Sequence, residues 1–235
     1  FVTIEGSDVN HIKNVLRMRP GEKIRVCTRN GQNYFCSISD ITESFVRADI
    51  LEKEAESTEL PCRIYLFQGL PKNDKMEWII QKTVELGVYE VIPVAMKNCV
   101  VKLDDKKAKS KVMRWQAIAE SAAKQSKRSL IPEVKMPMSY KEAVAYAKEL
   151  DVKLVPYENE HGMAGTKAAM EQIKKGESIA VFIGPEGGFA PEEIALVQDE
   201  MQLISLGKRI LRTETAGIAA LAILGYQLES SDMIE

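Results

Sequence analysis

The chain has 235 residues, of which 45% are hydrophobic and 28% charged, with a formal net charge of −2. It is long enough for one large domain or two unequal ones with a real core. No apolar run approaches the roughly 18 residues of a membrane span, and the overall charge argues against a general polyanion binder. The expected compartment is the cytoplasm, since Phe1 opens a strand-like stretch and not a basic-then-apolar leader. Cys27, Cys36, Cys62 and Cys99 are scattered without a C-x-x-C pair, and the histidines are His11 and His161 alone. The cysteines therefore read as free, mostly buried thiols, and no metal site or Ser-His-Asp triad is expected.

The first 60 residues read as a β-rich module. Val2 to Ile4 is a short strand, and Ser7 or Asp8 is placed to cap a helix with Val9, Ile12, Val15 and Leu16 on one face. Pro20-Gly21 is a turn, Lys23 to Thr28 alternates as a strand, and Asn30-Gly31 has the two-residue hairpin signature leading to strands Tyr34 to Ile41 and Phe45 to Leu51. Short strands with turns between them predict a small barrel. The acidic stretch Glu52 to Leu60 marks the expected boundary, with domains at 1–60 and 61–235.

Beyond Pro61 the period changes. Arg63 to Leu70 is a buried strand, followed by a helix capped at Asn73 or Asp74 with Met76, Ile79, Ile80, Thr83 and Val84 on one face and Gly87 as its stop. Glu90 to Met96 is a strand, a long basic helix runs through Trp115, Ile118, Ala119 and Ala122, and a helix covers Tyr140 to Leu150. Strands at Val152, Ser178 and Met201 alternate with helices at Met163 to Lys174, from Pro191, and to Leu228. This alternation predicts an α/β domain with a mostly parallel sheet and helices on both faces. Trp78 and Trp115, at helical spacing, read as core residues.

Ligands of such sheets sit beyond the carboxyl ends of the strands. Three strands end there in unusual loops, at 156–162 (PYENEHG), 184–188 (GPEGG) and 206–217 (LGKRILRTETAG). GPEGG fails both the P-loop and the G-x-G-x-x-G patterns. Its glycines instead permit positive φ and close backbone approach, while Pro191, Glu192 and Glu193 make a helix start whose acidity disfavours phosphate. Thr213 is placed to cap the last helix, whose Ala216, Gly217, Ala219, Ala220 and Ala222 allow close packing. Charge is also unevenly spread: residues 11–30 hold six Lys/Arg against Glu22, and residues 102–128 hold nine against Asp104, Asp105 and Glu120. Two such segments fit a defined polyanion footprint.

FIGPEGGF followed by LGKRILRTETA, with HIKNVLRMRPGEKI near the start and KTVELGV in the middle, resembles the ribosomal RNA small subunit methyltransferase E family of the SPOUT superfamily. The likeness covers nearly the whole chain in the right order. It implies a PUA-like β-barrel for RNA, then an α/β domain with a deep trefoil knot that binds S-adenosylmethionine. It further implies a homodimer sharing its active site and methylation of a uridine at N3 in 16S rRNA of the small subunit. On that resemblance the cofactor pocket is formed by Gly184, Pro185, Glu186, Gly187, Gly188, Leu206, Gly207, Ile210 and Leu211, with Tyr157 and Glu158 as weaker additions.

Uridine N3 carries a proton that must leave before attack. Arg212 is positioned in sequence to stabilise the resulting anion, or to meet a phosphate; Glu214 is positioned to accept the proton, to orient a group that does, or to cap the helix. RNA would be met by Lys13, Arg17 and Arg19 and by Lys124, Gln125, Lys127 and Arg128, which give affinity and little sequence information. The rival expectations are a non-catalytic RNA-binding or ribosome assembly factor, and a methyltransferase of another RNA such as tRNA.

Overall fold

The computed structural model describes residues 1–28, 32–54, 57–160 and 162–231. Arg29, the Asn30-Gly31 turn and His161 lie outside the described residues. The chain divides into two compact units, Phe1–Glu59 and Leu60–Glu235.

The first unit runs β1 (Val2–Glu5), α1 (Ser7–Asn10), a π-helical turn His11–Val15, β2 (Lys23–Cys27), β3 (Asn33–Ile41) and β4 (Phe45–Lys53). Its strands form an antiparallel sheet in the order β1-β4-β3-β2. Val9, Ile12, Ile38 and Val46 make the core. The anticipated helix face holds only in part, because Val15 and Leu16 are 61% and 54% exposed. Leu16 N donates to His11 O at 2.8 Å, an i to i+5 bond. That wider turn breaks the 3.6-residue phase on which the face was drawn. The N-cap is Gly6, at φ 74, in place of Ser7 or Asp8.

The second unit runs β5 (Arg63–Gly69), α2 (Lys75–Glu85), β6 (Val88–Ala95), α3 (Asp105–Gln125), β7 (Glu133–Val134), β8 (Met138–Ser139), α4 (Tyr140–Ala147), β9 (Val152–Pro156), α5 (Ala164–Glu171), β10 (Ser178–Ile183), α6 (Pro191–Val197), β11 (Gln202–Ile204) and α7 (Thr213–Ser231). The sheet order is β11-β9-β10-β5-β6-β7, with β8 beside β6, and the pairings are parallel. β5 beyond Arg63 and all of β10 are buried without alternation because both of their faces are covered. Ile64 and Leu66 face a core with α2, α3, α5 and α7; Tyr65 and Phe67 face another with α4 and α6. In register on adjacent strands, Phe67 and Phe182 stack with centroids 4.4 Å apart.

Local chemistry explains the helix limits. Asp104 caps α3 by accepting from Lys107 N at 2.8 Å, and Ser139 with Glu142 forms a capping box at α4. Met76, Ile79, Ile80, Thr83 and Val84 are buried on α2 as expected, and Gly87 stops that helix at φ 91. Trp115 is buried, but Trp78 is 53% exposed with Lys82 Nζ 5.0 Å from its ring. Two residues past Met76, it points away from the buried stripe on a helix of 3.6 residues per turn.

Arg128 departs from its expected RNA-facing role. Its side chain is buried, and Nη1 donates to the carbonyls of Val84 at 3.1 Å and Val88 at 2.6 Å, bracing the α2–β6 turn. Arg128→Met strips donors from these inner carbonyls. It is expected to cost about 3 kcal/mol, read as a lower urea midpoint at unchanged slope.

Candidate functional site

The loops beyond the carboxyl ends of β9, β10 and β11 enclose a cleft of about 700 Å³. Tyr157, Glu158, Gly184, Pro185, Glu186, Gly188, Leu206, Gly207, Ile210, Leu211 and Arg212 all line it. Gly188 and Gly207 have φ of 67 and 111, the left-handed region in which a side chain is strained. Gly187 does not line the cleft. A Cβ there would fall 2.9 Å from Asn98 Cβ, and Asn98 Nδ2 donates to Gly187 O at 3.0 Å and Gly188 O at 3.2 Å. Its glycine serves the packing of the β6–α3 connection against the loop.

Thr213 lines the cleft too, but not as the anticipated cap. Its hydroxyl donates to Gly184 O at 2.6 Å and accepts from Gln68 Nε2 at 2.8 Å. The start of α7 is thereby tied to β5 and to the glycine loop. Gly217, one turn later, leaves room for Gln68, whose Oε1 would lie 3.2 Å from a Cβ at that position. Gln68 was visible as a polar interruption in an apolar strand, and its full burial shows why it needs a partner.

Charges at the cleft come from several segments. Glu186 accepts from Lys72 N at 3.1 and 3.3 Å and pairs with Lys75 Nζ at 3.0 Å. Burial pushes the Glu186 carboxyl up, but Lys75 and backbone donors outweigh it and hold the group below its usual range. Glu214 does not line the cleft; its Oε2 lies 3.2 Å from the same Lys75 Nζ. The Glu186 hydrogen bond leads in raising the Lys75 ammonium above its usual range, against its own desolvation and with help from Glu214. Lys75 escaped the sequence reading because its partners are more than 100 residues away. Lys208 and Arg209 also line the cleft, beside Arg212.

The start of α6 is occupied by its own chain. Glu193 accepts from Ala190 N and from Lys97 N, each at 2.8 Å. These acidic side chains leave the helix terminus ill suited to a phosphate.

Of the residues expected to meet RNA, Arg17, Arg19, Lys124, Gln125 and Lys127 are exposed. Lys13 pairs with Glu43 and Lys124 with Glu120, so each carries a neighbouring negative charge. Arg128 is committed to the interior.

The profile described as an RNA methyltransferase domain matches residues 58–225, and that of an RNA methyltransferase PUA domain matches residues 4–51. A protein of Bacillus subtilis (strain 168) named ribosomal RNA small subunit methyltransferase E is 39% identical over 231 residues, covering 97% of this chain and 90% of its own. The chain belongs to the ribosomal RNA small subunit methyltransferase E family. A Mesomycoplasma hyopneumoniae (strain 232) protein of this family is 35% identical, covering 93% of this chain and 91% of the relative. The fold is also that of the family: a Neisseria gonorrhoeae member, solved bound to S-adenosyl methionine, superposes with TM-score 0.80 at 34% identity, covering 96% of this chain and 91% of that one. The N-terminal antiparallel sheet is accordingly its PUA domain, and the parallel sheet with its loop cleft is its RNA methyltransferase domain.

Thr213→Val keeps the shape of the side chain but removes the donor to Gly184 and the acceptor for Gln68. It is expected to cost about 2–3 kcal/mol in urea unfolding and to speed amide exchange in residues 184–190; Thr213→Ser is expected to stay within about 1 kcal/mol of the parent.

Proposed function

We propose that the chain transfers a methyl group from S-adenosylmethionine to N3 of a uridine in 16S rRNA of the small ribosomal subunit, using the cleft beyond β9, β10 and β11. The carrying observation is that the glycine loop and the 206–212 loop, far apart in sequence, line one cleft in a chain of this family. The residues fit the cofactor. About 700 Å³ is within the range of small-molecule sites, glycines at 188 and 207 leave backbone uncovered, and Leu206, Ile210 and Leu211 supply apolar surface beside Tyr157.

When bound, S-adenosylmethionine supplies an electrophilic methyl on a sulfonium, chemistry that needs no metal. The chain's own task is to hold a uracil ring in line with that methyl and to favour loss of the N3 proton. Arg212 lines the cleft and enters no ion pair among the described residues. It is assigned the stabilisation of negative charge on the deprotonated ring. Glu214, paired with Lys75 and outside the cleft lining, is assigned an orienting role. The backbones of Gly184, Pro185, Glu186 and Gly188 form the glycine wall of the pocket, with Gly187 held behind it by Asn98, and the 184–190 and 205–212 segments are assigned to the trefoil knot.

Arg17, Arg19, Lys124, Gln125 and Lys127, with Lys13 shared with Glu43, are assigned to the RNA backbone, and Arg128 is withdrawn from that set. A homodimer is part of the reading: Trp78, Met113 and Tyr226 are 53%, 70% and 76% exposed, a cost in apolar surface that a second copy would remove. The domains are taken as residues 1–60 and 61–235, and the compartment as the cytoplasm, where ribosomal RNA is the substrate.

The test is transfer of labelled methyl from S-adenosylmethionine to small subunits from cells lacking the enzyme, with the nucleoside identified by mass spectrometry. The expected product is 3-methyluridine in 16S rRNA. Arg212→Ala should lower kcat about 100-fold while leaving cofactor affinity nearly unchanged. Label confined to another RNA, or cofactor binding without any transfer, would overturn the substrate assignment.

A further inference from the structure

Lys75 is the first residue of α2 and lines the cleft. Its Nζ reaches two carboxylates that arrive from different parts of the chain: Glu186 Oε1 on the glycine loop at 3.0 Å and Glu214 Oε2 in the first turn of α7 at 3.2 Å. Two oxygens so close to one nitrogen lie within about 6 Å of each other, a range in which like charges strongly oppose joint ionisation. Glu186 is further anchored by the Lys72 amide. Glu214 Oε2 is buried without an aligned hydrogen bond, so the ion pair with Lys75 is what compensates its charge. The side chains of Lys75, Glu186 and Glu214 are 28%, 25% and 18% exposed, and solvent screens them only in part.

The two carboxylates sit on the two segments that Thr213 joins. Thr213 sets the backbone contact between α7 and Gly184, and Lys75 governs the charge balance beside it. Lys208, Arg209 and Arg212 also line the cleft, yet none of them is ion-paired to Glu186 or Glu214 among the described residues.

We propose that Lys75 is a positioning residue which, by placing one positive charge between the carboxylates of Glu186 and Glu214, holds the glycine loop against the start of α7 and so keeps the cofactor cleft in its binding shape. This rests on the reading of the cleft as the S-adenosylmethionine site. It makes the affinity of the cleft depend on charge balance at Lys75 and not on the volume of that side chain.

The experiment is calorimetric binding of S-adenosylmethionine and S-adenosylhomocysteine to the full chain, with thermal melting of every variant. Lys75→Met leaves the carboxylates facing each other and is expected to weaken both ligands about tenfold. Lys75→Arg keeps the charge and should stay within about threefold. Lys75→Met combined with Glu214→Gln removes the repulsion without restoring the lysine and should recover most of the lost affinity. Unchanged affinity in Lys75→Met, or equal weakness with and without Glu214→Gln, would overturn the proposal, since a packing role would not be rescued by removing a charge. If Lys75→Met does not fold but the double variant does, the same charge logic is upheld in stability; if neither folds, Lys75 is a general structural residue and the proposal falls. Failure of the unmodified chain to bind either ligand would overturn the cofactor reading and this proposal with it, whereas binding that ignores every change at Lys75 would overturn the proposal alone.

Discussion

The hydroxyl of Thr213, held between Gln68 Nε2 and Gly184 O, fixes where the last helix begins, and the cleft takes its shape from that point. β5 and β10 are neighbours in the sheet with Gln68 beside Ile183, so the three groups meet at one strand end. A fully buried amide in an apolar strand is costly unless it is bonded. Gln68 Nε2 meets Gly69 O at 3.2 Å, and a start of α7 at Thr213 gives it a second and shorter bond. The helix must then lie close, which fits small residues at Ala216 and Gly217, since a Cβ on the latter would fall 3.2 Å from Gln68 Oε1. Gly69 is bound by the same geometry: a Cβ there would fall 2.7 Å from Pro185 N.

Much of the second unit was legible because parallel strands buried on both faces are apolar throughout and the helices between them keep a 3.6-residue stripe. Met76, Ile79, Ile80, Thr83 and Val84 illustrate this, as do the full-length burial of β10 and the stop at Gly87. β7 and β8, two residues each, carry no period to read. The helical face of the first unit failed at Val15 for a local reason, the widened π turn, which composition does not announce.

The cleft was legible as loops and glycines but not as partnerships. Gly187 and Gly188 look alike in sequence, yet one is set by Asn98 and the other by a positive φ facing the cleft. Arg128 ends a basic run and looks like its neighbour Lys127, while the fold sends one inward and leaves the other in solvent. Thr213 in front of a helix reads as a cap, because capping is local; its actual partners are 29 and 145 residues away. Lys75 is a further case, since a lysine at a helix start gives no sign of carboxylates that arrive from a later loop and a later helix.

The acidic start of α6 settles what kind of glycine loop this is. In phosphate-binding loops the helix terminus behind the glycines is left open, so that its amides and dipole face the anion. Here Glu193 occupies Ala190 N and extends to Lys97 N, and Glu192 pairs with Lys97. The terminus is internally neutralised, and Glu186 shares the positive charge of Lys75 with Glu214. A loop so arranged offers a polyphosphate no open amides and presents backbone and apolar surface instead. Among the described residues, Lys208, Arg209 and Arg212 line the cleft without an ion pair, on the segment between β11 and α7. On the reading of the cleft as the cofactor site, an anionic substrate would be met at that segment while the glycine loop offers backbone and apolar surface to the other reactant, so that the two reactants are sorted to different walls of one cleft by which strand each loop follows.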